Sequence, residues 1–179
     1  MQTYIALLRG INVSGQKKII MAEFRTLLGK IGLENVQTYI QSGNIIFRHV
    51  QPAEALTTLI HQAILDKYGF DVPITIFSPH FLTQVIQNNP FLRKEPTRDI
   101  KKLAVAFLSE KPSDAQVKTL QEKYNGDDEF ALSGKVVYLL YKNGAGRSKL
   151  SNNYLEKQLK VQATSRNWKT TLKLKSMCN

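Results

Sequence analysis

The residues best suited to chemistry are Gly144-Ala145-Gly146-Arg147-Ser148-Lys149, between an apolar run and a helical pattern. Backbone N–H groups in such a strand-to-helix loop can converge on an anion, and Arg147 and Lys149 add full positive charges. The spacing is not that of a P-loop: Tyr141 stands where the first glycine belongs and Arg147 where the lysine belongs. A plainer account needs only a sharp turn, with Ser148 or Ser151 as a helix cap. A second polar stretch, from Arg9-Gly10 through Asn12, Ser14 and Gly15 to Lys17-Lys18, also joins a strand to a helix. Its glycines lack the spacing of a dinucleotide fingerprint, yet long loops at strand ends often carry function.

Two shorter motifs complete the set. Gln41-Ser42-Gly43-Asn44 reads as a hairpin turn, which accounts for Gly43 better than for its polar neighbours. Arg166-Asn167-Trp168 is followed by Lys169, Lys173 and Lys175. An indole beside cations can stack a base while the cations hold phosphate. The competing account packs Trp168 and Leu172 into the core and leaves the lysines in water. His49, His61 and His80 stand apart without metal-ligand spacing. Asp127-Asp128-Glu129 fits a turn before a strand, and no serine or cysteine occupies a nucleophile elbow. The candidate anion ligands are therefore Arg9, Asn12, Ser42, Asn44, Arg147, Ser148 and Arg166. No motif implies a metal or cofactor.

Charge placement supports the same chemistry. The net charge of the 179 residues is +11. Residues 135–179 hold ten Lys and Arg against one acid, Glu156, so +9 falls in the last quarter. Such asymmetry suits a polyanionic partner, nucleic acid or a phosphorylated small molecule, or simply a well-solvated surface. The single cysteine, Cys178, excludes an internal disulfide and fits a cytoplasmic setting. The apolar run at residues 4–8 is too short for a signal segment, and that at 136–141 too short to span a membrane.

The elements that position these residues follow from periodicity. Apolar residues predict strands at 3–8, 36–41, 45–50 and 72–77, with helices over 21–31 and 56–68 closed by Gly32 and Gly69. The order β-α-β-β-α-β is that of a ferredoxin-like unit. Helices cover one face of its sheet; the other must be solvated, bind something or meet another sheet. Ser78-Pro79 opens a connecting helix that ends near Asn89-Pro90, and residues 91–102 read as a polar linker. Strands at 103–108, 129–132 and 135–141, a helix from Ser113, another over 150–159 and a short strand near 161–163 repeat the order. A last helix starts near Asn167. The expected fold is thus α+β, with two tandem ferredoxin-like halves, residues 1–90 and 91–179, each with an antiparallel sheet. An RNA-recognition sheet is disfavoured, because the third strand lacks the basic-glycine-aromatic pattern.

Four segments together resemble one family: Leu8-Arg9-Gly10-Ile11-Asn12-Val13, Thr38-Tyr39-Ile40-Gln41-Ser42-Gly43-Asn44, Asn89-Pro90-Phe91 and Thr164-Ser165-Arg166-Asn167-Trp168. In these the chain is similar to the bacterial domain-of-unknown-function family 1697. The resemblance implies duplicated ferredoxin-like halves and assigns no activity or catalytic residue. Three expectations follow: an anion-binding protein; an enzyme acting on a small anionic substrate in a cleft between halves; or an interaction module, such as a homodimer pairing open sheet faces.

Overall fold

β1 (Gln2–Leu8) is an almost unbroken apolar run, and it becomes a central strand with both faces buried. The computed structural model describes residues 1–178. They form a mixed α+β fold with two four-stranded antiparallel sheets. The described residues divide into two compact units, residues 1–83 with 174–178, and residues 84–173.

In the first unit the strands lie in the order β2-β3-β1-β4, with β2 (Glu34–Tyr39), β3 (Asn44–His49) and β4 (Ile74–Phe77). α1 (Met21–Lys30) buries Phe24 and Leu28, one helical turn apart. α2 (Ala53–Tyr68) buries Leu56, Ile60, Ala63 and Ile64, and ends where Gly69 takes a left-handed φ of 73°. These helices pack on Tyr4, Ala6, Leu8, Ile45 and Phe47. The hairpin turn lies one residue or more earlier than the sequence suggests. Tyr39 pairs with Asn44, so Ile40–Gly43 form the loop and Asn44 is a fully buried strand residue. Gly43 is obligatory on two grounds. Its φ is 78°, and an added Cβ would lie 2.5 Å from Leu8 Cβ.

In the second unit the order is β6-β7-β5-β8, the last strand being β8 (Ala163–Asn167). α3 (Pro79–Gln87) connects to it, followed by β5 (Leu103–Leu108), α5 (Asp114–Lys123), β6 (Glu129–Ser133), β7 (Val136–Leu140) and α6 (Asn152–Leu159). Ala104, Ala106, Leu108, Val137 and Leu139 share a core with Leu120, Leu155 and Leu159. α5 opens with the expected capping box between Ser113 and Gln116.

Three expectations change. The stretch after Pro90 begins as a short helix, α4 (Pro90–Lys94), because Asn89 Oδ1 accepts the Phe91 and Leu92 N–H groups and proline fills the first helical position. The last strand, β8 (Ala163–Asn167), runs later than residues 161–163. Its outer half is polar, and backbone pairing with β5 holds it, so hydropathy marked only its start. In α7 (Trp168–Met177) the buried residues are Trp168, Thr170, Thr171 and Leu174, while Leu172 is 37% exposed. Trp168 is a core residue, as packing favours, but Leu172 is not its partner in burial.

The opposite sheet faces are dry as well. Ile5, Leu7 and Ile46 in one sheet, and Val105, Phe107, Val136 and Tyr138 in the other, are all at most 3% exposed. Neither sheet offers an open central platform for stacking bases or for pairing with a second copy.

Candidate functional site

Arg9, Asn12, Ser42 and Asn44 gather at one end of the first sheet, where β1 leaves and β3 begins. Asn12 adopts a left-handed φ of 54° and threads its amide between two loops. Its Nδ2 donates to Ile19 O at 3.0 Å and Gln41 O at 2.8 Å, and its Oδ1 accepts the Ile19 N–H at 2.9 Å. Asn44 Nδ2 donates to Tyr39 O and Ser42 Oγ, closing the hairpin loop. Arg9 is partly buried, and its N–H donates to Pro73 O at 3.0 Å. Lys17 Nζ reaches Asp71 O, and Asp71 also bonds the imidazole of His61. The asparagine amides are thus committed to three backbone carbonyls and the Ser42 hydroxyl: they brace the turn and present no free N–H to an anion.

In the second unit Arg147 and Ser148 share the loop between β7 and α6. Ser148 Oγ accepts the Leu150 N–H, and Ser151 Oγ caps α6 through Tyr154 N–H. Arg166 lies in β8, separated from β7 by β5, and its Nη1 donates to Ser165 O. Burial lowers the Arg166 guanidinium pKa to about 10, so it stays charged at neutral pH. The structure therefore joins Arg147 with Ser148 and leaves Arg166 on a different strand.

The loop around Arg147 has neighbours that motif reading missed. A cavity of about 120 Å³ is lined by Tyr124, Asn125, Asp127 and Asp128 on one side and by Asn143, Gly144, Arg147 and Lys149 on the other. Asp128 Oδ1 accepts the Lys142 N–H at 2.7 Å, and Lys149 Nζ donates to Asn125 Oδ1 at 3.1 Å. Tyr124 OH accepts the Asp128 N–H. The phenol of Tyr124 is shifted up, chiefly by burial, and Asp128 and Asp127 push it the same way against the bond from Asp128 N–H. The signal was in the hairpin: Glu129 pairs with Leu140, so residues before 129 must flank those after 140. A wider groove of about 580 Å³ borders Thr3, Asn35, Gln37, Arg48 and Cys178. Burial raises the Cys178 thiol pKa, which opposes a nucleophilic role. Among the described residues no group of three or more His, Cys, Asp or Glu could hold a metal ion, and no helix is long and apolar enough to cross a membrane.

The fold and these loops belong to a class of mixed α+β protein whose family model, described as a protein of unknown function (DUF1697), matches residues 1–138. The chain is a member of the DUF1697 family. Among solved structures it is similar to a conserved bacterial protein, SP0830 from Streptococcus pneumoniae, with 26% identity and a TM-score of 0.77, over 99% of this chain and 98% of that one. No curated protein matches it.

Proposed function

We propose that this protein binds a polyanion, single-stranded nucleic acid foremost, through the cations of residues 135–179. One observation carries the reading. The segment has a net charge of +9, and Lys142, Lys157, Lys160 and Lys169 are exposed and, among the described residues, outside any ion pair. Unpaired surface ammonium groups release counterions when they meet phosphates, and that release supplies salt-sensitive affinity without sequence readout. Dry sheet faces support backbone attraction over base stacking on a sheet. In the same reading each half is a ferredoxin-like unit and the pair a duplication, supported by matching strand orders, β2-β3-β1-β4 and β6-β7-β5-β8. The lone cysteine supports a cytoplasmic setting.

Fluorescence anisotropy with a labelled single-stranded oligonucleotide across a salt series tests it. With about four phosphates neutralised, log affinity should fall with log salt at a slope near −3. Replacing Lys157, Lys160 and Lys169 by glutamine should flatten that slope. Binding that ignores salt, or no binding at low salt, overturns the reading. Competition by a phosphorylated small molecule at matched charge would shift the ligand class.

A further inference from the structure

The cavity between the α5–β6 and β7–α6 loops holds two carboxylates, Asp127 and Asp128, and two cations, Arg147 and Lys149. Among the described residues no ion pair joins them. Opposite charges sharing a small cavity would ordinarily close on one another. Here the Asp128 carboxylate is tied back to the Lys142 N–H and the Lys149 ammonium to Asn125 Oδ1. These ties come from neighbouring backbone and from an amide, so each charge keeps unused hydrogen-bonding capacity.

The mixture of signs selects a ligand class by elimination. A phosphate would meet two carboxylates that repel it. A metal cation would meet a guanidinium and an ammonium. A neutral apolar molecule would leave four charges uncompensated as it displaced their water. A molecule carrying both signs satisfies all four. The space of about 120 Å³ matches roughly four waters of liquid volume, which suits a small backbone with little side chain. Tyr124 forms the cavity's aromatic surface, braced edge-on against Phe130 and Tyr154, where a methyl or methylene group can rest. We propose that this cavity binds a small zwitterion of the amino-acid class, its ammonium against Asp127 and Asp128 and its carboxylate against Arg147 and Lys149. The site shares Arg147 and Lys149 with the basic segment of the polyanion reading, but Lys157, Lys160 and Lys169 do not line it, so the two readings can be separated.

Calorimetric titration of the full chain with glycine, L-alanine and β-alanine, beside N-acetyl-alanine and alaninamide, tests the proposal. Saturable binding is expected for a free amino acid, weakened about tenfold or more in both blocked derivatives, since each lacks one charge. Asp127→Asn and Arg147→Gln should each weaken binding by a similar factor while the thermal midpoint stays in place, since both side chains are exposed. The proposal is overturned by no binding up to about 10 mM, or by equal binding of free and blocked forms. Should a variant unfold, the free-against-blocked comparison on the unaltered protein decides alone. The lysine-to-glutamine triple variant separates the two readings: it should weaken oligonucleotide binding and flatten its salt dependence while amino-acid binding is kept.

Discussion

The two halves share a strand order and differ in where they are elaborated. In the first, the long irregular segment is residues 9–20, after the opening strand; in the second it is residues 141–151, after the third strand. In the antiparallel sheets these are opposite ends of the same arrangement. The segments are also built on opposite principles. The first satisfies itself: Asn12 and Asn44 spend their amides on backbone carbonyls and the Ser42 hydroxyl, and Asn12, Ser14 and Lys17 take left-handed conformations beside Gly10 and Gly15. The second keeps charges from pairing around a cavity. One scaffold thus supports a self-contained clasp at one end and an electrostatically open loop at the other. Polar residues in a loop indicate ligand binding only when their hydrogen bonds are not already committed.

The largest test of that contrast is at the two hairpin turns. Gly43→Ala should cost about 4 kcal/mol, from a left-handed alanine and from overpacking against Leu8. Gly134→Ala, with φ of 57° and nothing within 4 Å of its added Cβ, should cost about 1–2 kcal/mol. Equal shifts in urea midpoint would remove the distinction between a clasped turn and an open one.

Next comes alkaline titration, which should strike the second half first. Burial pushes the Tyr138 and Tyr141 phenols up to about 12, against 10.0 in an unfolded chain. The folded state resists the phenolate, so this stability is intact below pH 10 and falls as pH rises from 10 to 12. Each phenol accounts for roughly 2 kcal/mol of that loss once solvent screening is counted. Trp168, the sole tryptophan and buried in this half, reports the loss by fluorescence. Tyr141→Phe should move the transition to higher pH, and an unmoved transition would contradict the assignment.

Asn12→Ala should cost about 2–3 kcal/mol for its three hydrogen bonds, and Ser148→Ala about 1 kcal/mol for one. If the serine proved the costlier, the clasp would belong to the other half. The smallest effects concern helix starts. Ser113→Ala should lose about 1 kcal/mol by breaking the capping box of α5. Ile20→Ser, before the uncapped α1, should gain about 0.5 kcal/mol. Chemical denaturation reads both.

Central strands were the most legible elements, since runs such as residues 103–108 are apolar on both faces and coincide with β5. Helix ends marked by Gly69 and Ser113 were equally plain, because each uses a local capping interaction, whereas the start of α6 stayed open between Ser148 and Ser151 until the structure placed the cap at Ser151. β8 was misplaced because an edge strand is held by backbone pairing that composition does not record. Arg9 with Asn12 and Ser42 with Asn44 were legible as two separate polar motifs; the pairing of Leu7 with Asn44 brings them together, and neither that register nor the direction of their hydrogen bonds is written in local sequence. Asp127 and Asp128 were passed over because a turn explains them locally, and only the register of β6 against β7 sets them opposite Arg147.

The first unit is discontinuous in sequence: its last contribution, residues 174–178, is encoded after the whole of residues 84–173. On the ribosome those 90 intervening residues take about 5–20 s to polymerise. For that interval the amino-terminal half exists with its own core but without this last contribution. The second unit, contiguous in the message, can acquire its structure as it emerges. Order of birth and order of completion are therefore reversed in this chain.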